Sequence, residues 1–121
     1  VGSSLGGIVS LVGYRRRPEI FGAAGVFSPA FWVLGEDGVT ALAGADVPPG
    51  RVYVDIGGRE SEDVDGLPSR YEREAREAAR LLAATPGVDL RFVVDPHGIH
   101  HESAWAARLP AALRFLLSPR I

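Results

Sequence analysis

The chain has 121 residues, 46% apolar and 23% charged, which is enough for one domain with one core and is an ordinary globular composition. A formal net charge of −2 gives no electrostatic reason to expect nucleic acid or an anionic membrane as a partner, and no apolar run approaches the roughly 20 residues that cross a bilayer. Cysteine is absent, which excludes disulfides, thiol catalysis and cysteine-ligated zinc.

The pattern alternates helix and strand. Leu5 to about Arg17 reads as a helix stopped by Pro18, with Leu5, Ile8, Val9, Leu11 and Val12 as a broad apolar face. Phe21 to Phe27 is a short apolar run without alternation, as expected of a strand buried on both faces. Gly35 to Gly50 is rich in turn residues, and Pro48-Pro49-Gly50 stops any short helix around Val39 to Ala43. Arg51 to Ile56 is a β-branched strand running into Gly57-Gly58. Pro68 to about Ala84 predicts the clearest helix. Its Tyr71, Ala75, Ala78, Ala79 and Leu82 share one face, and Glu72/Arg76 and Arg73/Glu77 pair on the other.

Val88 to Val94 is a third strand. A last helix starts near Glu102, with Trp105, Leu109, Leu113 and Leu116 expected inward and Pro110 expected to kink it. Strands separated by helices of this length imply right-handed parallel crossovers, so the class is α/β. The three strands should pair in sequential order. The segment 21–27 should then present an apolar free edge, through which the chain could self-associate.

Three residues carry chemistry in this framework. Gly2-Ser3-Ser4-Leu5-Gly6 fits G-x-S-x-G directly before a helix, a turn that would lift the Ser4 hydroxyl above the sheet. Glycines are expected on both sides because a side chain there would meet neighbouring backbone. The Leu5 N–H, at the helix N-terminus, is placed to act as one oxyanion donor. The motif alone also fits an ordinary turn. A phosphate loop fits poorly, since its lysine is missing.

A serine nucleophile needs a base, and the base needs an orienting acid. His100 follows the third strand and precedes an amphipathic helix, while Glu60 follows the second strand, so Ser4, Glu60 and His100 stand in the Ser…Asp/Glu…His order of α/β-hydrolases. Each lies at the C-terminal end of a strand, where parallel sheets build their sites. Rivals remain for each role. His97, His100 and His101 could be solvated, or with Asp95 form a metal cluster, and Asp55, Glu62, Asp63 and Asp65 compete with Glu60. Arg15-Arg16-Arg17 reads as a complement to the C-terminal end of its own helix. Phe31 and Trp32 suit either an acyl pocket or the core. All 13 basic residues are arginine, scattered and balanced by 15 acids, which points to coding bias rather than a binding device.

Three stretches resemble the putative-esterase family, which includes enterochelin-esterase-like hydrolases, feruloyl esterases, S-formylglutathione hydrolases and mycolyltransferases. Gly2 to Gly7, with Pro18 to Gly22 and Phe27-Ser28-Pro29-Ala30-Phe31-Trp32, is similar to the family's nucleophile segment. Val52 to Glu60 resembles its strand leading to the acid, and His100-His101-Glu102-Ser103-Ala104-Trp105 resembles its histidine segment. The resemblance implies Ser4 as nucleophile, Glu60 as acid and His100 as base, the last because the family's histidine stands five positions before the tryptophan. It further implies a small carboxylic ester as substrate, hydrolysis through an acyl-enzyme, and no cofactor or metal. Acyl transfer is the alternative chemistry within the family. Family members carry a further N-terminal half with five strands and the second oxyanion donor. The resemblance therefore implies that residues 1–121 are the C-terminal half of one catalytic domain, with a non-catalytic fragment as the alternative.

Overall fold

The computed structural model describes residues 1–60 and 69–119; Glu62, Asp63, Asp65 and Pro68 lie outside them. In chain order the elements are β1 (Gly2–Ser3), α1 (Leu5–Arg16), β2 (Ala23–Phe27), a 3-10 turn (Phe31–Leu34), α2 (Gly38–Ala43), β3 (Gly50–Gly57), α3 (Arg70–Ala83), β4 (Val88–Asp95) and α4 (Glu102–Leu117). The strands form one sheet in the order β1-β2-β3-β4, every pair parallel. This is the α/β class expected from the alternating pattern.

Side-chain alternation along the strands builds two apolar layers. Ala24, Val26, Val52 and Val54 face a core made with Ile8, Leu11 and Tyr14 of α1, Val39 and Ala43 of α2, and Ala78 and Leu82 of α3. Phe27 and Tyr53 face the other way, against Ala112, Trp105, Phe115 and Leu116 of α4. Both faces of β2 and β3 are covered, so β2 runs apolar throughout and β3 is interrupted only by Arg51 and the buried Asp55.

Several details differ from the sequence-based expectation. The strand expected from Phe21 begins at Ala23, because Ile20 and Phe21 both donate backbone bonds to the Arg17 carbonyl and are held in the turn that ends α1. Phe21 is consequently 49% exposed. Tyr14 takes the interior place that Leu5 and Val9 were expected to share, with its hydroxyl bonded to the Pro48 carbonyl at 2.5 Å. Arg15, in the last turn of α1 as expected, also reaches the Leu42 and Ala45 carbonyls and so caps the end of α2. The outer edge of β2 is not wholly free: Gly2 and Ser3 pair with Val26 and Phe27 and cover its C-terminal end.

Helix α3 follows the expected face, with Ala75, Ala78, Ala79 and Leu82 buried. Its start is fixed by a capping bond, the Ser69 hydroxyl accepting from the Glu72 N–H at 3.1 Å. Arg76 bonds Glu72 as expected, while Glu77 is engaged by Arg80.

Helix α4 is rotated relative to expectation. Leu109 is at the surface and Arg108 points inward, beside Ala112. The cause is a buried carboxylate, Asp55 on β3, which sits under this helix and requires a cation.

Candidate active site

The turn between β1 and α1 places Ser4 at φ 56°, ψ −119°, a backbone conformation that costs a non-glycine residue about 1–3 kcal/mol. Surrounding bonds hold it there. Its N–H donates to the Phe27 carbonyl at 2.9 Å, and its own carbonyl accepts from Gly7 at 3.1 Å and from Ala30 at 3.4 Å. Gly2 is required by close approach, since a Cβ there would stand 2.3 Å from the Gly6 carbonyl oxygen. Gly7 is tight against Phe27 and Val26, but a Cβ on Gly6 would meet nothing within 4 Å. The expectation that glycines on both sides of the serine are sterically required therefore holds at Gly2 and not at Gly6. Leu5, the first residue of α1, has an N–H without an intrahelical acceptor.

Two distant segments converge on the Ser4 hydroxyl. His100, in the loop between β4 and α4, brings Nε2 to 3.0 Å from Ser4 Oγ. Its Nδ1 lies 2.7 Å from Glu60 Oε1. Glu60 follows β3 and has a fully buried side chain, whereas that of His100 is 23% exposed. The imidazole is walled by Tyr71 of α3, with centroids 4.7 Å apart, and by the edge of Trp105 at 5.0 Å. Trp32 stands edge-on to Tyr71 and is partly exposed, so it lies on the rim of this aromatic wall, while Phe31 is wholly in the core.

The other candidates are accounted for elsewhere. His101 begins α4, its Nδ1 accepting from the Ser103 N–H at 3.1 Å, and His97 is exposed. Among the described residues no three histidine, aspartate or glutamate side chains are grouped to hold a metal ion. Asp55 does not face His100. Its carboxylate accepts from Arg108 Nε and the Tyr53 hydroxyl at 2.8 Å each, from the Ser28 N–H at 3.0 Å, and from Arg108 Nη2 at 3.2 Å.

Below the histidine lies a buried polar layer that sequence reasoning missed. Ser28 hydroxyl donates to Glu60 Oε2 at 2.5 Å, and the Gly57 N–H donates to the same oxygen at 2.5 Å. Trp105 Nε1 and Arg108 Nη2 donate to Ser28 Oγ at 2.9 and 3.2 Å. Arg108 Nη1 also reaches Asp95 at 3.3 Å. Among the described residues, no buried side-chain nitrogen or oxygen lacks a partner.

Burial pushes the Asp55 carboxyl above the usual carboxylate range, with Arg108, Tyr53 and the Ser28 amide pulling the other way. Burial works against the Arg108 charge too, but hydrogen bonding and attraction from Asp55 outweigh it and hold the guanidinium more firmly protonated than usual. Burial and the adjacent Asp55 charge raise the Tyr53 phenol well above the ordinary tyrosine range. The available signals were an arginine within the apolar stripe of α4 and a serine beginning a Ser-Pro step after β2.

The putative-esterase family matches residues 1–116. An uncharacterized protein, YbbA, of Bacillus subtilis (strain 168) is 22% identical over 120 residues, covering 96% of this chain and 47% of that protein. Among solved structures, the siderophore hydrolase EstB from Aspergillus nidulans superposes with a TM-score of 0.54 at 18% identity, covering 99% of this chain and 49% of that one. The siderophore hydrolase EstA from the same organism gives 0.51 at 19% identity, with 93% and 43% covered. The chain thus spans about half the length of the proteins it matches, and their likeness fixes the fold class. With nearly every residue inside the family match and the parallel α/β sheet the fold requires, the chain belongs to the putative-esterase family.

Proposed function

We propose that Ser4, His100 and Glu60 are the nucleophile, general base and orienting acid of a carboxylic ester hydrolase that works through an acyl-enzyme. The observation that carries this reading is the continuous contact Ser4 Oγ–Nε2 His100 Nδ1–Oε1 Glu60, at 3.0 and 2.7 Å. Nε2 within hydrogen-bond reach of the hydroxyl is the requirement for proton removal during attack. Family membership supports the same chemistry.

In the first half-reaction His100 Nε2 takes the Ser4 proton as Oγ bonds to the acyl carbon. The carbonyl oxygen becomes an oxyanion, stabilised by the Leu5 N–H and the positive end of α1. Glu60 stabilises the imidazolium from the Nδ1 side. Collapse of the intermediate breaks the acyl C–O bond, and the leaving alkoxide takes the proton from Nε2. Water then gives a proton to Nε2 and attacks the acyl carbon. The second collapse returns that proton to Ser4 Oγ and releases the acid.

The test is covalent. A fluorophosphonate should label the natural-length protein at Ser4, and short-chain aryl esters should be cleaved in a Ser4-dependent way. Undiminished hydrolysis by Ser4→Ala, or its abolition by a chelator, overturns the assignment.

A further inference from the structure

The reaction just described uses three side chains, yet the far oxygen of Glu60 is held by the Ser28 hydroxyl, which Arg108 engages in turn, and the reaction needs neither. We infer that Arg108 and Ser28 form a donor relay that holds Glu60 as its carboxylate and so fixes which nitrogen of His100 carries the proton. This rests on the reading of Ser4, His100 and Glu60 above.

The inference follows from counting donors and acceptors. Ser28 Oγ has three partners: Trp105 Nε1 at 2.9 Å, Arg108 Nη2 at 3.2 Å and Glu60 Oε2 at 2.5 Å. An indole N–H and a guanidinium can only donate, and a hydroxyl has one proton and two lone pairs. Trp105 and Arg108 therefore occupy both lone pairs, and the single Ser28 proton can go only to Glu60. Glu60 Oε2 receives this proton and the Gly57 N–H at 2.5 Å, so no carboxyl proton fits on that oxygen.

The positive charge of Arg108 behind the relay favours the anion. A carboxylate at Oε1 then requires a donor opposite, which places the proton on His100 Nδ1. Nε2 is left with its lone pair towards Ser4. Directionality is thus imposed from α4 through four hydrogen bonds, and each link is buried or partly buried.

The fold protects the relay on every side. Arg108 is locked by Asp55 of β3 and Asp95 of β4, which leaves Nη2 shared between Asp55 and Ser28. Ser28 adopts φ 44°, held by its N–H bonds to the Asp55 carbonyl at 3.1 Å and side chain at 3.0 Å. The charged and titratable groups around the array are Tyr53, Asp55 and Glu60 from β3 and its following loop, Asp95 from β4, Arg108 from α4, and Tyr71 from α3 against the imidazole. Arg108 is the cation of this set. Neither it nor Ser28 touches the Ser4 hydroxyl, so both are positioning residues.

The experiment uses Ser28→Gly in the natural-length protein. It removes the hydroxyl while relieving the positive φ. Arg108→Met removes the cation. Arg51→Met is the control for stability alone, because Arg51 binds the Phe115 and Ser118 carbonyls at the end of α4, away from the relay.

Ser28→Gly should lower kcat by about 10- to 100-fold with little change in KM, by analogy with loss of the outer partners that orient metal-ligating histidines. With a donor or the cation removed, Glu60 and His100 as a pair take up their shared proton more readily, so the acid limb of kcat/KM should move to higher pH in both variants. The 15N signals of His100 should report an Nδ1–H tautomer in the wild type and a tautomer mixture in Ser28→Gly. Arg51→Met should lower the melting temperature and leave limb and tautomer in place.

A folded Ser28→Gly with wild-type kcat, limb and tautomer overturns the relay. If Arg108→Met does not fold, Ser28→Gly alone decides. Fluorophosphonate labelling at Ser4 in all variants separates a failed relay from a failed hydrolase reading, in which no labelling would occur even in the wild type.

Discussion

Positive φ angles mark two serines of the candidate site, Ser4 at 56° and Ser28 at 44°. Both are non-glycine residues held in unfavourable backbone by surrounding bonds, a cost that a fold tolerates where geometry matters more than stability. Ser4→Ala and His100→Ala should each remove almost all ester turnover, and Glu60→Gln should lose several orders of magnitude while the protein stays folded. Steady-state kinetics beside circular dichroism would check this, and a Glu60→Gln enzyme with near-normal kcat would contradict it. The glycines give a sharper local contrast. Gly6→Ala meets open space in a helix and should leave the melting temperature unchanged or raised, by up to about 1 kcal/mol of helix propensity. Gly2→Ala puts a methyl group 2.3 Å from a carbonyl oxygen and should destabilise clearly. Equal melting temperatures for the two variants would contradict the turn geometry.

Ser4, Glu60 and His100 were legible as a set because chain order, strand ends and family resemblance coincide on them. Ser28 and Arg108 were not, because nothing local distinguishes a serine that bonds a residue 32 positions away from one that faces water.

Among the elements, α4 best separates what periodicity can and cannot give. Its existence and start at Glu102 follow from the pattern, but the apolar count favoured Leu109 as an inward residue. The buried Asp55 reverses that choice, since an unpaired carboxylate in the interior costs more than an exposed leucine. Leu109→Ser should therefore cost less than about 1 kcal/mol, whereas Leu82→Ala, wholly buried on α3, should cost about 2–5 kcal/mol. Chemical denaturation of the two variants would check the helix rotation, and a larger loss at Leu109 would refute it. The expected strand at Phe21 failed for a related reason: the turn after α1 claims those backbone N–H groups before the sheet can.

At the scale of the molecule, the parallel class and strand order were readable from alternation alone. The two-residue β1 was hidden inside the glycine-serine turn, too short to show a period. Tyr53 offers a global test of the layer beneath the site. Its folded-state pKa is raised, so the native state keeps a phenolic proton that an unfolded chain releases near pH 10. That contribution to stability is complete below about pH 10 and is lost as pH rises further. Tyr53→Phe should flatten this alkaline decline in a urea titration series; an unchanged slope would show that the phenol does not govern it.

Exposed Val1, Leu5, Val9 and Phe21 lie near the β1 side of the sheet, several of them lining a groove of about 330 Å³. Residues 1–121 expressed alone should self-associate through this face. Sedimentation would show mass rising with concentration and a return towards monomer in Val9→Asp; a monomer at all concentrations would count against it.

The Ser4 and His100 side chains that touch are 96 residues apart along the chain. During synthesis the Ser4 turn emerges well before His100, and β2, β3 and β4 all emerge between them. On the proposed assignment, a chain still growing between the two displays a serine with no base to activate it. On the proposed assignment reactivity arrives only with the loop after β4 and helix α4, so the order of synthesis itself delays the chemistry until these strands are in place.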